Sequence, residues 1–289
     1  MTFKLLALDV DGTLIAAAET IAPEAAGAVA AAEAAGLQIV LTTGRNYAQT
    51  VEIWRQLRLA RPYQPLVLVS GALVAEPDTG RSLYQRTIPR ELACQYADSQ
   101  GKLGYTTLAF VDPWRHGVDY FVAESADAED VQQKWFSRTK ATVRRVGRLA
   151  DASGMPDPLR LSAIAADRPA GEALAAAMRR PFDGRLCVNV LYVPAYDVVI
   201  VEATAARADK WTALMYVAQG CQVQPREIVA VGDDSNDLSM IRRAGLGVAM
   251  PCGPQYVRDA ADHVASNGLA GFIHELLAGK FDDGRRAAP

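Results

Sequence analysis

The sequence predicts an α/β fold, a parallel sheet wound with helices and split by an inserted α+β block. Three observations carry that expectation. Near both ends of the chain, short continuous apolar runs alternate with helix-forming segments. The runs "LLALD", "LQIVLTT" and "EIVAVGDD" each end in polar or acidic residues. Between them the rhythm turns to hairpin-like and alternating patterns.

The elements follow in order. Phe3–Leu8 reads as a buried strand stopped by acids and Gly12. Pro23 to Ala35 reads as a helix: Ala dominates, Pro suits its first turn and Gly36 its end. "LQIVLTTGR" is a second strand, and Asn46 is placed to cap a helix reaching Leu57. "PLVLVSGALV" supplies a third strand and a turn. A hairpin turning at Asp78–Arg81 comes next, then a helix over Arg90–Gln100. "YTTLAFVD" and "VDYFVA" read as strands joined by a loop carrying Pro113, Trp114, Arg115 and His116. Asp127 is placed to cap a helix ending near Ser137. A strand in "PLRLSAIAA", a helix over Pro169–Met178 and a strand in "RLCVNVLY" complete the insertion. The α/β rhythm returns after "DVVIVEA", with a helix over Lys210–Gln219, the strand "EIVAVGDD", a helix over Asn236–Ala244, the strand "LGVAM" and a last helix in "AGFIHELLAG". The domain division is therefore 1–80 with 195–289 for the core, and 81–194 for the insertion.

Composition sets the class. With 289 residues, half of them hydrophobic, the chain can bury a large core. A formal net charge of −3 offers no basic excess for nucleic acid. The four cysteines are widely spaced and form no CxxC pair, so reduced thiols in a cytoplasmic protein are expected. The Ala-rich segment is interrupted by Glu24 and Glu33, and "FKLLAL" is short, so neither a membrane span nor a signal peptide is expected. Monomer or weak homo-oligomer is the expected state.

Ligands of open parallel sheets sit beyond the carboxyl ends of the strands. Three strand ends here carry Asp9 and Asp11, Thr43 and Arg45, and Asp233 and Asp234. Clustered acids repel unless a cation holds them, and an oxygen-only set favours a hard ion, Mg²⁺. In "DVDGT" the two acids alternate, so both face one side of an extended chain while Val10 faces the other. Gly12 allows a sharp turn. One acid can then attack as a carboxylate and the other protonate a leaving group; taken alone, the motif reads equally as turn chemistry. In "LTTGR" a Thr hydroxyl and the following amides suit either a phosphate or a helix cap. Lys210 opens a helix, an unfavourable place for a cation without an anion beside it. In "GDDSND" four acids or amides crowd into five positions, more than capping requires.

"DVDGT", "TTGR", Lys210 and "GDDSND", in that order, resemble the haloacid dehalogenase superfamily of aspartate-nucleophile phosphatases, in its Cof-type subfamily IIB. The resemblance implies a Rossmann-like core with a C2-type cap inserted after the third core strand. It implies Asp9 as nucleophile, and Asp11 as general acid and then base with its backbone carbonyl on Mg²⁺. It further implies Asp233 as the remaining protein ligand, braced by Asn236 and Asp237. Gly12, Thr43, Gly44 and Lys210 would hold the phosphoryl group, with Arg45 and Ser70 near the substrate. Two stretches depart from the family pattern: Ser70-Gly71-Ala72 stands where Asn-Gly-Ala is common, and Met250-Pro251-Cys252-Gly253-Pro254 where Met-Gly-Asn-Ala is common. The implied activity is Mg²⁺-dependent hydrolysis of a small phosphomonoester, a sugar phosphate, with Trp114, Arg115 and His116 as candidates for reading it. A phosphoryl transferase or mutase on the same fold, and a non-catalytic binding protein, stay open as alternatives.

Overall fold

The computed structural model describes residues 2–15, 20–60, 64–123, 136, 141–193 and 198–281. The chain forms two compact units, Met1–Tyr84 with Asp209–Pro289, and Gln85–Ala208. The helix expected from Asp127 lies outside the described residues.

The first unit is built on an eight-stranded sheet. Its strands are β1 (Leu5–Asp9), β2 (Gln38–Thr42), β3 (Leu66–Leu68), β4 (Leu73–Ala75), β5 (Ser82–Gln85), β12 (Ile228–Gly232), β13 (Leu246–Ala249) and β14 (His263–Val264). They lie in the order β14-β13-β12-β1-β2-β3-β4-β5. Pairing is parallel from β14 through β3 and antiparallel between β3 and β4. β1, β2 and β12 are buried along their whole length, as the continuous apolar runs require of a sheet covered on both faces. The register sets Leu8 against both Leu41 and Val231, and Asp9 against Thr42. The chain order thus brings the three polar strand ends side by side.

Helices α1 (Pro23–Ala34), α2 (Tyr47–Leu57) and α6 (Lys210–Gly220) connect or cover these strands. Asn46 caps α2 as its sequence promised. Its side chain accepts from the Gln49 amide at 3.0 Å, and the Gln49 side chain accepts from the Asn46 amide at 3.3 Å. Ala213, Leu214, Val217 and Ala218 of α6 pack on Leu5, Ala7, Val40 and Val67 of the sheet. The helix expected over Asn236–Ala244 is shorter. A 3-10 turn, Ser235–Asp237, precedes α7 (Leu238–Ile241), because Asp237 turns its carboxylate back onto the preceding amides. α8 (Gln255–Arg258) and α9 (Gly268–Leu277) follow.

The second unit carries a six-stranded sheet, β10-β11-β9-β6-β7-β8, with α3 (Arg90–Lys102) and α5 (Arg168–Arg179). Its strands are β6 (Thr107–Phe110), β7 (Tyr120–Ala123), β8 (Val143–Val146), β9 (Arg160–Ala165), β10 (Leu186–Val193) and β11 (Val198–Ala205). All pairs are antiparallel except β7 with β8. β11 pairs along its length with β9 and β10, so 198–208 belongs to this unit rather than to the core, where the division at 195 had put it. The loop expected at Pro113–His116 is the one-turn helix α4, capped by Asp112, and it leaves Trp114 exposed. Among the described residues no helix is long and apolar enough to cross a membrane.

Candidate active site

Asp9 ends β1 and is 4% exposed. The chain then bends tightly: the amides of Leu14 and Ile15 donate to the Val10 carbonyl, and the Gly12 amide to that of Ile15. Gly12 sits at φ +80°, and a Cβ there would run into the Asp233 carboxylate. Only glycine meets both conditions. Thr13 uses the same approach, its hydroxyl donating to Asp233 Oδ1 at 3.1 Å.

Lys210 begins α6, whose cap is Asp209 accepting from the Thr212 amide. Its side chain is fully buried, with Nζ 2.5 Å from Asp9 Oδ1 and 2.5 Å from Asp237 Oδ1. The other Asp237 oxygen accepts from the amides of Asp233 at 2.9 Å and Asp234 at 3.0 Å. Asp237 therefore anchors the lysine and shapes the acidic loop together. The turn after β3 presses on the start of α6: Gly71, at φ +94°, has its missing Cβ directed at the Asp209 carbonyl. Ser70 beside it is buried at φ 54°, and its amide donates to the Thr43 carbonyl.

The electrostatics are unbalanced. Burial pushes the Asp9 carboxyl well above its ordinary value, Asp237 adds to this, and Lys210 opposes it. Asp233 is pushed up to about 7, first by burial and then by Asp237. Burial opposes charge on Lys210, yet Asp237 and Asp9 hold its ammonium above the ordinary lysine range. Carboxylate oxygens of Asp9, Asp233 and Asp237 lie within 4.8 Å of one another. Three carboxylates facing one ammonium leave two formal negative charges, and the donors are all oxygen. That set fits a hard divalent cation. Asp237 already has both oxygens engaged, which leaves Asp9 and Asp233 as the side chains able to coordinate.

Thr43 is buried, and its hydroxyl oxygen accepts from the Arg45 amide at 3.1 Å. The Arg45 guanidinium takes Asp11 with both arms, Nε to Oδ2 at 2.9 Å and Nη2 to Oδ1 at 2.7 Å. The Asp11 carboxylate thus faces Arg45, outside the three-acid group. Asn236 is half-buried in the 3-10 turn before α7, and Gly44 lies half-buried between Thr43 and Arg45. From the Pro251–Pro254 loop the Cys252 thiol donates to the Gly12 carbonyl at 3.4 Å. Burial and then Asp233 push this thiol up, so it serves as a donor rather than a nucleophile.

A family model for haloacid dehalogenase-like hydrolases matches residues 6–273. The chain belongs to this family. Its order of motifs and its inserted unit are those of the Cof-type, subfamily IIB branch. Among curated relatives, a pyridoxal phosphate phosphatase of Escherichia coli, YbhA, is 25% identical, over 96% of this chain and 100% of that protein. A 5-amino-6-(5-phospho-D-ribitylamino)uracil phosphatase of Bacillus subtilis, YitU, is 26% identical, over 95% of this chain and 97% of that protein. A solved subclass IIB sugar phosphatase, BT4131, shares the fold with a TM-score of 0.75 and 22% identity, covering 94% of this chain and 98% of that one.

In this hydrolase the sequence had singled out Asp9, Asp11, Gly12, Thr43, Gly44, Arg45, Ser70, Lys210, Asp233, Asn236 and Asp237. The structure joins Asp9, Lys210, Asp237 and Asp233 in one buried cluster, and Asp11 with Arg45 in a second pair. Thr13 and Cys252 were not singled out as functional. Thr13 lay in the quoted "DVDGT", where its hydroxyl was the available signal; nothing local in the sequence ties Cys252 to Gly12.

Proposed function

We propose that the protein is a Mg²⁺-dependent phosphatase that hydrolyses a small phosphomonoester, a sugar phosphate, through an aspartyl-phosphate. The observation that carries this reading is the buried lysine shared by Asp9 and Asp237 beside Asp233, at the carboxyl end of the central strands. Such an arrangement holds one carboxylate in place, and the cluster can accept a phosphate once a divalent cation offsets its excess negative charge.

Asp9 forms a bond to phosphorus through one carboxylate oxygen as the ester P–O bond breaks. The electron pair of that bond goes to the ester oxygen, which takes a proton from the Asp11 carboxyl. Water then attacks phosphorus, the bond to Asp9 breaks, and Asp11 receives a proton from the water. Lys210 keeps Asp9 in position and contributes positive charge where the phosphoryl oxygens gather. Thr43 and Gly44 lie at the same strand ends and would supply hydroxyl and amide donors to those oxygens, while Gly12, whose own amide is held by the Ile15 carbonyl, gives the chain its tight turn beside them. Asp9, Asp233 and the Asp11 carbonyl would hold Mg²⁺, whose charge offsets the repulsion between carboxylate and phosphate. Asn236 and Asp237 would brace that set, and Ser70, buried in the turn after β3, would offer a short hydroxyl near the substrate.

The named substrates of YbhA and YitU are small phosphorylated metabolites and BT4131 is a sugar phosphatase, which supports a substrate of that class. The net charge of −3 favours such a substrate over a nucleic acid. The test is phosphate release from a panel of sugar, polyol, cofactor and nucleotide phosphates with Mg²⁺. Asp9→Asn keeps an amide oxygen within reach of Lys210 and should lose turnover by at least a thousandfold while melting within a few degrees of wild type. Turnover by Asp9→Asn near the wild-type rate would rule the reading out.

A further inference from the structure

We propose that Arg45 is a positioning residue for Asp11, orienting its carboxyl for proton transfer to the departing ester oxygen rather than gripping the phosphate. The inference rests on the phosphatase reading above and adds a division of labour among its cations. Lys210 serves Asp9, and Arg45 serves Asp11.

The geometry is built for this. The Arg45 backbone is pinned at both polar groups: its N–H donates to Thr43 Oγ1 at 3.1 Å, and its C=O accepts from the Val69 amide at 3.0 Å. Its side chain is only 10% exposed, against 36% for Asp11, so a nearly buried fork holds a carboxylate that reaches toward the open side. Both guanidinium bonds are short and parallel, which fixes the plane of the carboxyl as well as its position. Asp11 needs such support. It follows the end of β1, in a bend whose only ladder partner among the described residues is the isolated bridge to Ile15. A carboxyl on that bend, without a second hold, would rotate about its side-chain bonds. Lysine could supply the charge but not the planar two-point grip.

The proton balance assigns the moment at which Arg45 matters. When Asp9 bonds phosphorus and the ester bond breaks, the proton leaves Asp11 for the ester oxygen. Asp11 is then a carboxylate, the form that accepts both guanidinium N–H groups. When water adds to phosphorus, its proton returns to Asp11. Arg45 therefore acts on the step that depends on the leaving group.

The experiment compares kcat/KM for para-nitrophenyl phosphate and for glycerol 2-phosphate, with saturating Mg²⁺. This ratio reports steps up to departure of the leaving group. Nitrophenolate leaves without a proton, whereas an alkoxide requires one. Arg45→Lys retains charge and loses the fork; it should cut kcat/KM for the alkyl ester about a hundredfold, within the usual range of general acid catalysis, and for the aryl ester only a few fold. Arg45→Gln gives a second test if the lysine variant folds poorly, as judged by its melting temperature. Combining Arg45→Gln with Asp11→Asn should add little to Asp11→Asn alone, because both remove the same step. Equal losses on both esters would overturn the inference, assigning Arg45 to phosphate binding or to the fold. An additive double variant would overturn it as well. Persistent activity of Asp9→Asn would instead strike the underlying phosphatase reading.

Discussion

Replacing Lys210 with Met tests the charge arrangement at its centre. Met approximates the length and volume of the lysine stem, so packing is largely kept and the ammonium is removed. What remains is a group of three acids, Asp9, Asp233 and Asp237, with oxygens within 4.8 Å and no cation among them. Lys210 currently makes two 2.5 Å bonds from a fully buried position. Removing one member of a buried ion pair costs about 3–5 kcal/mol, because the stranded charge keeps its desolvation penalty. For a unit of about 150–250 residues, each kcal/mol moves the melting temperature by roughly 2–4 °C, so a drop on the order of 6–20 °C is expected in metal-free buffer. The loss should grow with pH. Asp9 and Asp233 already have carboxyls raised by burial and by Asp237. Without the ammonium they take protons more readily, and in acid those protons replace its charge. Above neutrality the protons leave and the repulsion is felt in full. Thermal melts of the metal-free protein at pH 6 and pH 8 measure both effects. A variant that melts within about 2 °C of wild type at pH 8, or that loses more at pH 6, would refute the charge argument.

Two further perturbations probe neighbouring parts of the same site. Asp233 has its carboxyl pushed up to about 7 in the folded protein against an ordinary 3.8. An acid raised on folding is no burden below its unfolded value, becomes one as pH climbs, and is a full burden above its folded value. Metal-free Asp233→Asn should therefore be more stable than wild type at pH 8, by about 4 kcal/mol less about 1 kcal/mol for the weakened Thr13 bond. The gain should fade toward pH 4, and urea titrations read it; a gain independent of pH would contradict the cause given. Added Mg²⁺ should raise the midpoint of wild type more than that of the variant. Gly71→Ala places a Cβ against the Asp209 carbonyl at φ +94°, so backbone rather than a flexible side chain has to shift. It should cost about 2–4 kcal/mol and lower kcat by displacing the start of α6. Gly27→Ala, on an exposed stretch of α1 with nothing within 4 Å, should be neutral or slightly stabilising by the same melts.

The parts readable from sequence were those governed by local rules. The Asn46 cap and its helix to Leu57 came out as expected, because a capping box is complete within four residues. The β1, β2 and β12 ends were readable as continuous apolar runs that stop at polar residues. What escaped depended on partners distant in sequence. "VVIVEATA" has the composition of a buried parallel strand, and only its antiparallel neighbours β9 and β10 assign it to the second unit. β8 reads Val-Arg-Arg-Val and joins its sheet through parallel pairing with β7, a pattern too polar to stand out. At the site the residue types were visible but their pairings were not. Lys210 looked odd at a helix start, where it meets the positive end of the dipole. Its burial and its two carboxylate partners, 201 and 27 positions away, could only come from the fold. The same holds for Arg45, which spacing could not tie to Asp11, 34 residues earlier.

The glycines around the cluster explain how so much like charge is held together. Gly12 admits the Asp233 carboxylate, Gly232 admits that of Asp237, and Gly71 admits the backbone that launches Lys210. Each gives up a side chain where a charged group or its support comes into the site. Their common result is compression: the acids are brought closer than their mutual repulsion favours, and one ammonium offsets only part of it. A protein gains no stability from that. The arrangement is economical only if something carrying two positive charges completes it, which is also what a carboxylate needs before it can approach a phosphate dianion. On this argument the instability of the metal-free cluster and the proposed chemistry have one cause. A substitution that relieves the first, as Asp233→Asn should, must also remove the second.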